Sequence, residues 1–158
     1  MTFCSGNTAM PATEGMRQPV HSDADFKHPS HPFALVVNVP LVTMKPENGS
    51  TEVWLGTHTH TNIGDQQGAH GERASGRIKE TLLEERRRVS PPIQAVIPKG
   101  SIIVRDLRLW HAGMPNISHE IRVMLAFSRS TGTSLKHLTD DGSSFCPVVP
   151  QSDANGVW

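Results

Sequence analysis

Residues 101–127, SIIVRDLRLWHAGMPNISHEIRVMLAF, hold the clearest β pattern of this 158-residue chain. Toward the end of the stretch every second position is a large apolar residue: Ile121, Val123, Leu125 and Phe127. Because successive strand residues point to opposite faces, the other face would carry Arg122, Met124, Ala126 and Ser128. Gly113 and Pro115 mark a turn upstream of this strand, and His111 would end the strand before that turn.

Three further segments extend the β pattern. They are the β-branched run FALVVNVPLV at 33–42, STEVWL at 50–55 and IQAVI at 93–97. The first is typical of a strand buried on both faces, and Pro40 within it indicates an edge or a bend. A single helix is predicted over about residues 77–88, ended by two prolines. About six short strands and one helix predict a mostly-β fold of the sandwich or jelly-roll kind.

The length of the chain is typical of one domain with its own core. We predict a single domain over 1–158 with its core at about 17–130. Residues 1–16 are small and polar and show no apolar period, and residues 131–158 turn polar again, so both are expected to be irregular. The long polar loop at 56–76 is expected to be functional or mobile.

Composition narrows the function classes. Lys plus Arg equal Asp plus Glu at 15 each, so nothing points to nucleic acid or to an anionic membrane surface. There is no apolar run of ~20 residues and no secretory leader pattern. Cys4 and Cys146 are too few for a disulfide framework and are expected to be free thiols. These features predict a cytoplasmic protein, and they leave the oligomeric state open.

His21 and Asp23 are the first two candidate metal ligands along the chain. On a strand, residues two apart share a face, so an imidazole and a carboxylate at this spacing can converge on one ion. A lone His-x-Asp is more often a solvated pair, and a third ligand is needed. His111, at the end of its strand, supplies it. Two histidines and one carboxylate occupy one face of an octahedral metal and leave three positions open, as in non-haem Fe(II) oxygenases.

Arg122 lies eleven residues after His111, on the strand face that lacks the large aliphatic side chains. A cation pointing into a cavity there needs an anionic partner, because an unpaired buried charge is costly. The planar fork of arginine suits a carboxylate. A 2-oxo acid that chelates the metal and carries a second carboxylate at its far end fits this requirement.

Taken together, these motifs resemble the phytanoyl-CoA dioxygenase family of Fe(II)/2-oxoglutarate enzymes over roughly residues 17–128. The matching features are QPVHSD at 18–23, ENGSTEVWLGTH at 47–58, PKGSIIVRDLRLWHAGMPN at 98–116, and the eleven-residue spacing from His111 to Arg122. The resemblance implies a double-stranded β-helix, that is, a cupin-like jelly roll with one or a few flanking helices.

The resemblance also implies roles for individual residues. His21, Asp23 and His111 would bind Fe(II), and Gln18, Thr51 and Arg122 would contact 2-oxoglutarate, with Arg122 at its distal carboxylate. The implied reaction uses O₂, releases succinate from 2-oxoglutarate and hydroxylates or otherwise oxidises a small organic molecule. An acidic residue at position 23, which leaves no site for halide, favours oxygenation over halogenation.

Two features depart from the family pattern. Family members are usually longer and have an early barrel strand before the His-x-Asp strand, so an N-terminally incomplete barrel is one expectation here. Gln18 and His21 have opposite parity on a regular strand, so both can face one site only if the strand is irregular. Pro19 makes a bulge the expected solution.

Several alternatives stay open at this point. An inactive, truncated remnant of the family and a cupin-type metal enzyme that does not use 2-oxoglutarate are the rival functions, and the second has no use for Arg122. His58 and His60 form another His-x-His, although no glutamate follows at the spacing that a cupin metal motif has. The charges of RDLR at 105–108 are interpreted as strand-edge charges, and those of ERRR at 85–88 as a solvated helix end.

Overall fold

The computed structural model describes residues 3–11, 16–68 and 74–130. The predicted irregular tail, with Cys146, lies outside these residues. The described strands are β1 Phe3–Ala9, β2 Ala34–Pro40, β3 Glu52–Val53, β4 Ile93–Gln94, β5 Ile103–Asp106, β6 His111–Ala112 and β7 Arg122–Ser130. One α-helix, α1, spans Glu80–Val89, and short 3₁₀ turns cover Pro46–Asn48, Thr57–Thr59 and Ile63–Asp65. In the described part of the chain, no helix has the length and apolar character needed to cross a bilayer.

Two antiparallel sheets build the fold. The larger sheet has the strand order β1-β7-β2-β5, and the smaller has the order β4-β3-β6. His21 pairs with His111 as an isolated bridge and so extends the smaller sheet beyond β6. Since the four strands of the larger sheet come from positions far apart in sequence, nearly all of its pairing is non-local. This arrangement is the predicted mostly-β jelly roll with one flanking helix.

The N-terminal strand β1 corrects the prediction of an irregular segment over residues 1–16. β1 pairs antiparallel with β7 in a continuous register, from Phe3 opposite Ser128 to Ala9 opposite Arg122. A strand that precedes the His-x-Asp segment is therefore present. Its sequence, FCSGNTA, has little β propensity and no clear alternation. The unpaired edge of β7 supplies the hydrogen-bonding partners that fix it as a strand, which is a tertiary effect that overrides propensity.

The burial of β2 differs from the expected pattern, whereas β7 has Arg122 on its interior face as expected. Val36 on β2 is buried whereas Leu35 is 40% exposed, so β2 is buried on one face and not on both. Pro40 is the last residue of β2, which lies inside the sheet and not at its edge. On β7 the interior face is the one that carries Arg122 and Met124, while Ile121, the residue before the strand, is 47% exposed.

Helix α1 closes the smaller sheet from outside. It begins three residues later than predicted, with Lys79 as its N-cap, and ends before the two prolines. Leu83 is the buried residue of α1, and it belongs to an apolar cluster that includes Trp54 and Trp110. The guanidinium of Arg87 lies 5.3 Å from the centre of the Trp54 ring, a distance at which a cation–π contact is favourable.

Replacing Trp54 with alanine should cost about 3–5 kcal/mol of unfolding free energy, because the side chain is fully buried and its indole N–H donates to Glu52 Oε1 at 2.8 Å. Urea unfolding monitored by circular dichroism measures the loss. Val89→Ala, at a position that is 80% exposed, is the control and should change stability by less than about 0.5 kcal/mol. Equal effects of the two substitutions would contradict the assignment of this core.

Candidate metal centre and its cavity

The side chains of His21, Asp23 and His111 converge. Their candidate ligand atoms lie within 4.8 Å of one another, and no other group of three such side chains is found in the described residues. Asp23 Oδ1 is 3.7 Å from His21 Nε2 and 3.5 Å from His111 Nε2. The two imidazole rings are tilted, with their centres 4.3 Å apart. These three side chains, which are neutral or anionic, lie on one side of a cavity, and a single divalent cation could bind to all three.

Backbone pairing creates this convergence. The N–H of His21 donates to the carbonyl of His111 at 2.9 Å, and the N–H of His111 donates back at 3.0 Å. The next bond toward the N-terminus runs from Gln18 N–H to the carbonyl of Gly113. Between these two contacts one strand advances three residues, from Gln18 to His21, while its partner advances two, from His111 to Gly113. The extra residue is the bulge predicted near Pro19. The bulge lets Gln18 and His21 both line the cavity.

Both imidazoles are oriented by the same local contact. Nδ1 of His21 lies 2.9 Å from the carbonyl of Pro19, and Nδ1 of His111 lies 2.9 Å from the carbonyl of Leu109. A carbonyl only accepts, so the proton belongs on Nδ1 and the lone pair on Nε2. That is the tautomer in which Nε2 can bind a metal, and the carbonyl contact holds the ring in place.

The carboxylate of Asp23 divides its two oxygens between different partners. Oδ1 faces the histidines, whereas Oδ2 accepts a hydrogen bond from Arg105 Nη2 at 2.6 Å. Arg105 lies on β5, and its side chain is only 12% exposed. The interpretation of RDLR as strand-edge charges was wrong for this residue. β5 is an edge strand, but position 105 points inward, and strand parity relative to the inward-facing Ile103 is the signal that could have shown it.

Electrostatics favour the unprotonated site. Burial raises the pKa of Asp23, but the neighbouring Arg105 and the two imidazoles outweigh it and hold that pKa well below its usual range. Burial, reinforced by Arg105, lowers the pKa of His111 to about 3. His111 is therefore neutral and Asp23 ionised at neutral pH, which is the state that metal ligands require.

Arg122 is 2% exposed, and no acidic side chain in the described part of the chain pairs with it. Its Nη1 donates to the side-chain oxygen of Asn7, its Nη2 donates to the carbonyl of Gly49 at 3.1 Å, and its Nε is buried without a partner. Gly49 has φ +78°, and a Cβ there would lie 2.6 Å from the Met114 carbonyl, so glycine is required. Burial lowers the pKa of Arg122 to about 10, and the group stays charged at neutral pH.

The cavity beside these groups has a volume of about 370 Å³. Gln18, Thr51 and Asn7 line it. Arg122 was expected to point into the cavity, but it is not one of the lining residues and contacts the wall through Asn7. Gln18 Oε1 accepts a hydrogen bond from Gly113 N–H at 2.8 Å. The cavity thus has a cluster of metal-ligand atoms on its wall and a buried cation behind one side.

Two other sequence motifs stand apart from the site. His58 and His60 join no group of three candidate metal ligands in the described residues. Arg108 is 1% exposed and pairs with Asp106 at 2.8 Å, so it is a buried ion pair and not a strand-edge charge. Asn116 stabilises the turn that follows: its Oδ1 accepts the Ser118 N–H at 3.0 Å.

The fold and the site define a jelly-roll protein with a two-histidine, one-carboxylate cluster in its cavity. The sequence model of the phytanoyl-CoA dioxygenase family (PhyH) matches residues 4–124, and the chain belongs to that family. The match begins within β1 and ends within β7, so it includes both sheets.

Solved structures share the fold at low sequence identity. EvdMO1 is 22% identical with a TM-score of 0.60, over 82% of this chain and 26% of that one. EctD from S. alaskensis, solved with 2-oxoglutarate and 5-hydroxyectoine, is 22% identical with a TM-score of 0.60, over 79% of this chain and 42% of that one. The epimerase SnoN, solved with Fe³⁺, alpha-ketoglutarate and nogalamycin RO, is 17% identical with a TM-score of 0.59, over 93% and 58%. The chain spans between about a quarter and three fifths of these proteins.

The stability of the metal-free protein should decrease as pH falls from 6.5 toward 3, partly because of His111. In that interval the unfolded histidine binds a proton that native His111 does not, so the unfolding free energy falls with pH. One such group contributes up to about 1.4 kcal/mol per pH unit. His111→Asn should flatten the profile in urea unfolding after chelator treatment. His119→Asn, at an exposed position, is the control, and a profile unchanged by His111→Asn would contradict the neutral, buried imidazole.

Proposed function

We propose that this protein is an Fe(II)/2-oxoglutarate-dependent dioxygenase that oxidises a small organic molecule. The observation that carries the proposal is the convergence of His21, Asp23 and His111 on one cavity. The wall of that cavity includes Asn7, which contacts the buried cation Arg122, and Arg122 has no acidic partner in the described residues. Family membership supports the same chemistry. The activity, the co-substrate and the substrate belong to this proposal.

The donor set fits ferrous iron. Two imidazole nitrogens and one carboxylate oxygen are the ligands of the facial triad, which leaves three coordination positions free. Both Nε2 atoms are available because Nδ1 of each ring is committed to a backbone carbonyl. His111 does not have to lose a proton near neutral pH before it binds a metal.

The surroundings of Arg122 fit a dicarboxylate co-substrate. Within the described ranges, this buried guanidinium contacts only a neutral amide and carbonyl oxygens, so it has no counter-charge there, and its Nε has no partner. The distal carboxylate of 2-oxoglutarate would supply that charge. It would bind Arg122 either beside the Asn7 side chain or in place of it. Gln18 and Thr51 line the same cavity and would contact the co-substrate.

In the proposed mechanism His21, Asp23 and His111 would hold Fe(II), and Arg122 would hold the far end of 2-oxoglutarate. When bound, iron, 2-oxoglutarate and O₂ together supply the oxidising chemistry, in which the co-substrate is decarboxylated to succinate and a C–H bond of the substrate is hydroxylated. The protein orients the ligands and limits water around them. Apolar walls that include Val36, Leu107 and Met124 would serve the second task.

Two rival functions remain as alternatives, an inactive remnant of the family and a cupin-type enzyme without 2-oxoglutarate. The remnant hypothesis was based on an incomplete barrel, and β1 weakens it by pairing with β7 along its whole length. The cupin-type alternative offers no explanation for a buried arginine that lacks a counter-charge. The substrate is expected to be a small molecule, either an acyl-CoA or a secondary metabolite.

The deciding experiment measures succinate release by Fe(II)-loaded protein in the presence of 2-oxoglutarate and O₂, with and without candidate substrates. Wild type should release succinate, and Asp23→Ala should not. Glu85→Ala, an exposed carboxylate on α1, is the matched control and should behave as wild type. Redox-silent Mn(II) should stabilise wild type by about 2.7 kcal/mol of unfolding free energy at a hundredfold excess over Kd and so raise its melting temperature. Asp23→Ala should abolish this rise. A wild-type melting curve unchanged by Mn(II) would favour the inactive remnant.

Arg122→Ala should weaken 2-oxoglutarate binding to the Mn(II)-loaded protein. Removing one partner of a buried charge pair costs about 2–5 kcal/mol, which corresponds to roughly 30-fold to several thousandfold in affinity. Arg122→Lys keeps the charge but loses the planar, two-donor geometry of the guanidinium, so its 2-oxoglutarate affinity should fall between those of wild type and Arg122→Ala. Calorimetric titration of metal and then of 2-oxoglutarate measures both affinities.

The metal affinity of both Arg122 variants should match that of wild type, because Arg122 is not a proposed ligand. Arg88→Ala removes an exposed arginine from α1 and controls for net charge. If Arg122→Ala binds 2-oxoglutarate as tightly as wild type, the arginine has a structural role only.

A further inference from the structure

Arg105 is the charged residue nearest the candidate metal centre to which the proposed function gives no role. It stands on β5, lines the cavity and is mostly buried. Its Nη2 donates to Asp23 Oδ2 at 2.6 Å, and its Nε donates to Asn38 Oδ1 at 3.3 Å. Two separate anchors fix the plane of the guanidinium relative to Asp23.

The contact with Arg105 restricts what Asp23 can offer to a metal. A free carboxylate can bind a cation through one oxygen or through both. Here Oδ1 is directed toward Nε2 of the two histidines, while Oδ2 is held in a short, charge-assisted bond. Turning Oδ2 toward the metal would break that bond and leave the buried guanidinium without its anionic partner, which is costly.

We propose that Arg105 is a positioning residue that limits Asp23 to a single ligand oxygen and thereby keeps three coordination positions open. The inference rests on the proposed function, because the number of open positions matters only if a chelating co-substrate and O₂ must both bind. A triad with a one-oxygen carboxylate leaves three of six positions free. A two-oxygen carboxylate would leave two, which the chelating co-substrate would fill.

The neighbouring contacts explain why an arginine suits this task. Asn38 is 4% exposed on β2, the strand that pairs with β5, so the anchor of Arg105 Nε is itself rigid. Only a planar group with donors on two sides can bond Asn38 and Asp23 together. A lysine could reach one of them as a point charge, and an apolar residue could reach neither.

The test counts the water molecules on the bound metal. Mn(II) is loaded into wild type, Arg105→Leu, Arg105→Lys and the control Arg17→Leu, and the water-proton relaxivity per bound Mn(II) is measured. Arg17 also donates to a carboxylate at 2.6 Å, that of Glu52, but it is not part of the cavity wall. Arg105→Leu should lower the relaxivity by about one third, since three water positions become two. Arg105→Lys should lie between, and Arg17→Leu should match wild type.

A second titration adds 2-oxoglutarate to each Mn(II)-loaded protein. Arg105→Leu should still bind it, because two free positions accommodate a chelating ligand, and its Mn(II) affinity should not fall. Its ternary complex should retain no metal-bound water, whereas the wild-type complex should retain one and so have the higher relaxivity. If relaxivity per bound Mn(II) is the same in wild type and both Arg105 variants, the proposal is overturned. A Leu variant that does not fold leaves the Lys variant to decide, because its relaxivity must still fall below wild type. If wild type itself binds no Mn(II), the proposed function fails, and that outcome is distinct from a failure of the positioning role.

Discussion

The antiparallel backbone pair between His21 and His111 is the constraint on which the candidate site depends. Its two hydrogen bonds, at 2.9 and 3.0 Å, join segments that are 90 residues apart in sequence and extend the smaller sheet to its last position. The same pair brings the two imidazoles to within 4.3 Å. As long as these two backbone hydrogen bonds are formed, the two histidine side chains stay next to each other. The relative position of these two candidate ligands is therefore set by the sheet and not by a flexible loop.

Around that pair, three buried arginines are balanced in three different ways. Arg108 has a carboxylate of its own in Asp106, with several bonds between them. Arg105 shares Asp23 with the candidate metal centre. Arg122 has no carboxylate partner in the described residues and contacts only uncharged oxygens. The Arg108 pair is neutral without a ligand. Under the proposed function, a metal ion would share Asp23 with Arg105, and an anionic co-substrate would balance the charge of Arg122.

The sequence predicted those parts of the site that depend on spacing alone. His21, Asp23 and His111 could be grouped because a two-residue step on a strand and a histidine before a turn both have simple geometric consequences. The bulge at Pro19 followed from the parity conflict between Gln18 and His21, and the observed pairing contains it. Helix α1 followed from its apolar stripe, with an error of three residues at its start. The roles assigned to the site residues stay predictions.

What the sequence did not predict depends on contacts between distant segments. β1 is a strand because β7 offers an unpaired edge, and nothing in FCSGNTA announces it. Arg105 looked like surface charge because an edge strand often carries charged residues, and only the three-dimensional position of Asp23, 82 residues away, shows the pairing. Asn7 was missed for the same reason, since its contact with Arg122 spans 115 residues. Local patterns contain no information about such partners.

Two buried donors at the candidate site are left unsatisfied by the described part of the chain. Arg122 Nε and Arg105 Nη1 are buried without hydrogen-bond partners in the described residues, and each such donor costs about 1–3 kcal/mol relative to a satisfied one. Burial also works against the charge of Arg122, as its lowered pKa indicates. A core selected for stability alone would replace these groups with apolar side chains of similar volume, which is often neutral or stabilising. A ligand that supplied the missing charge beside the three candidate metal ligands would recover part of the free energy that these unpartnered groups cost the fold.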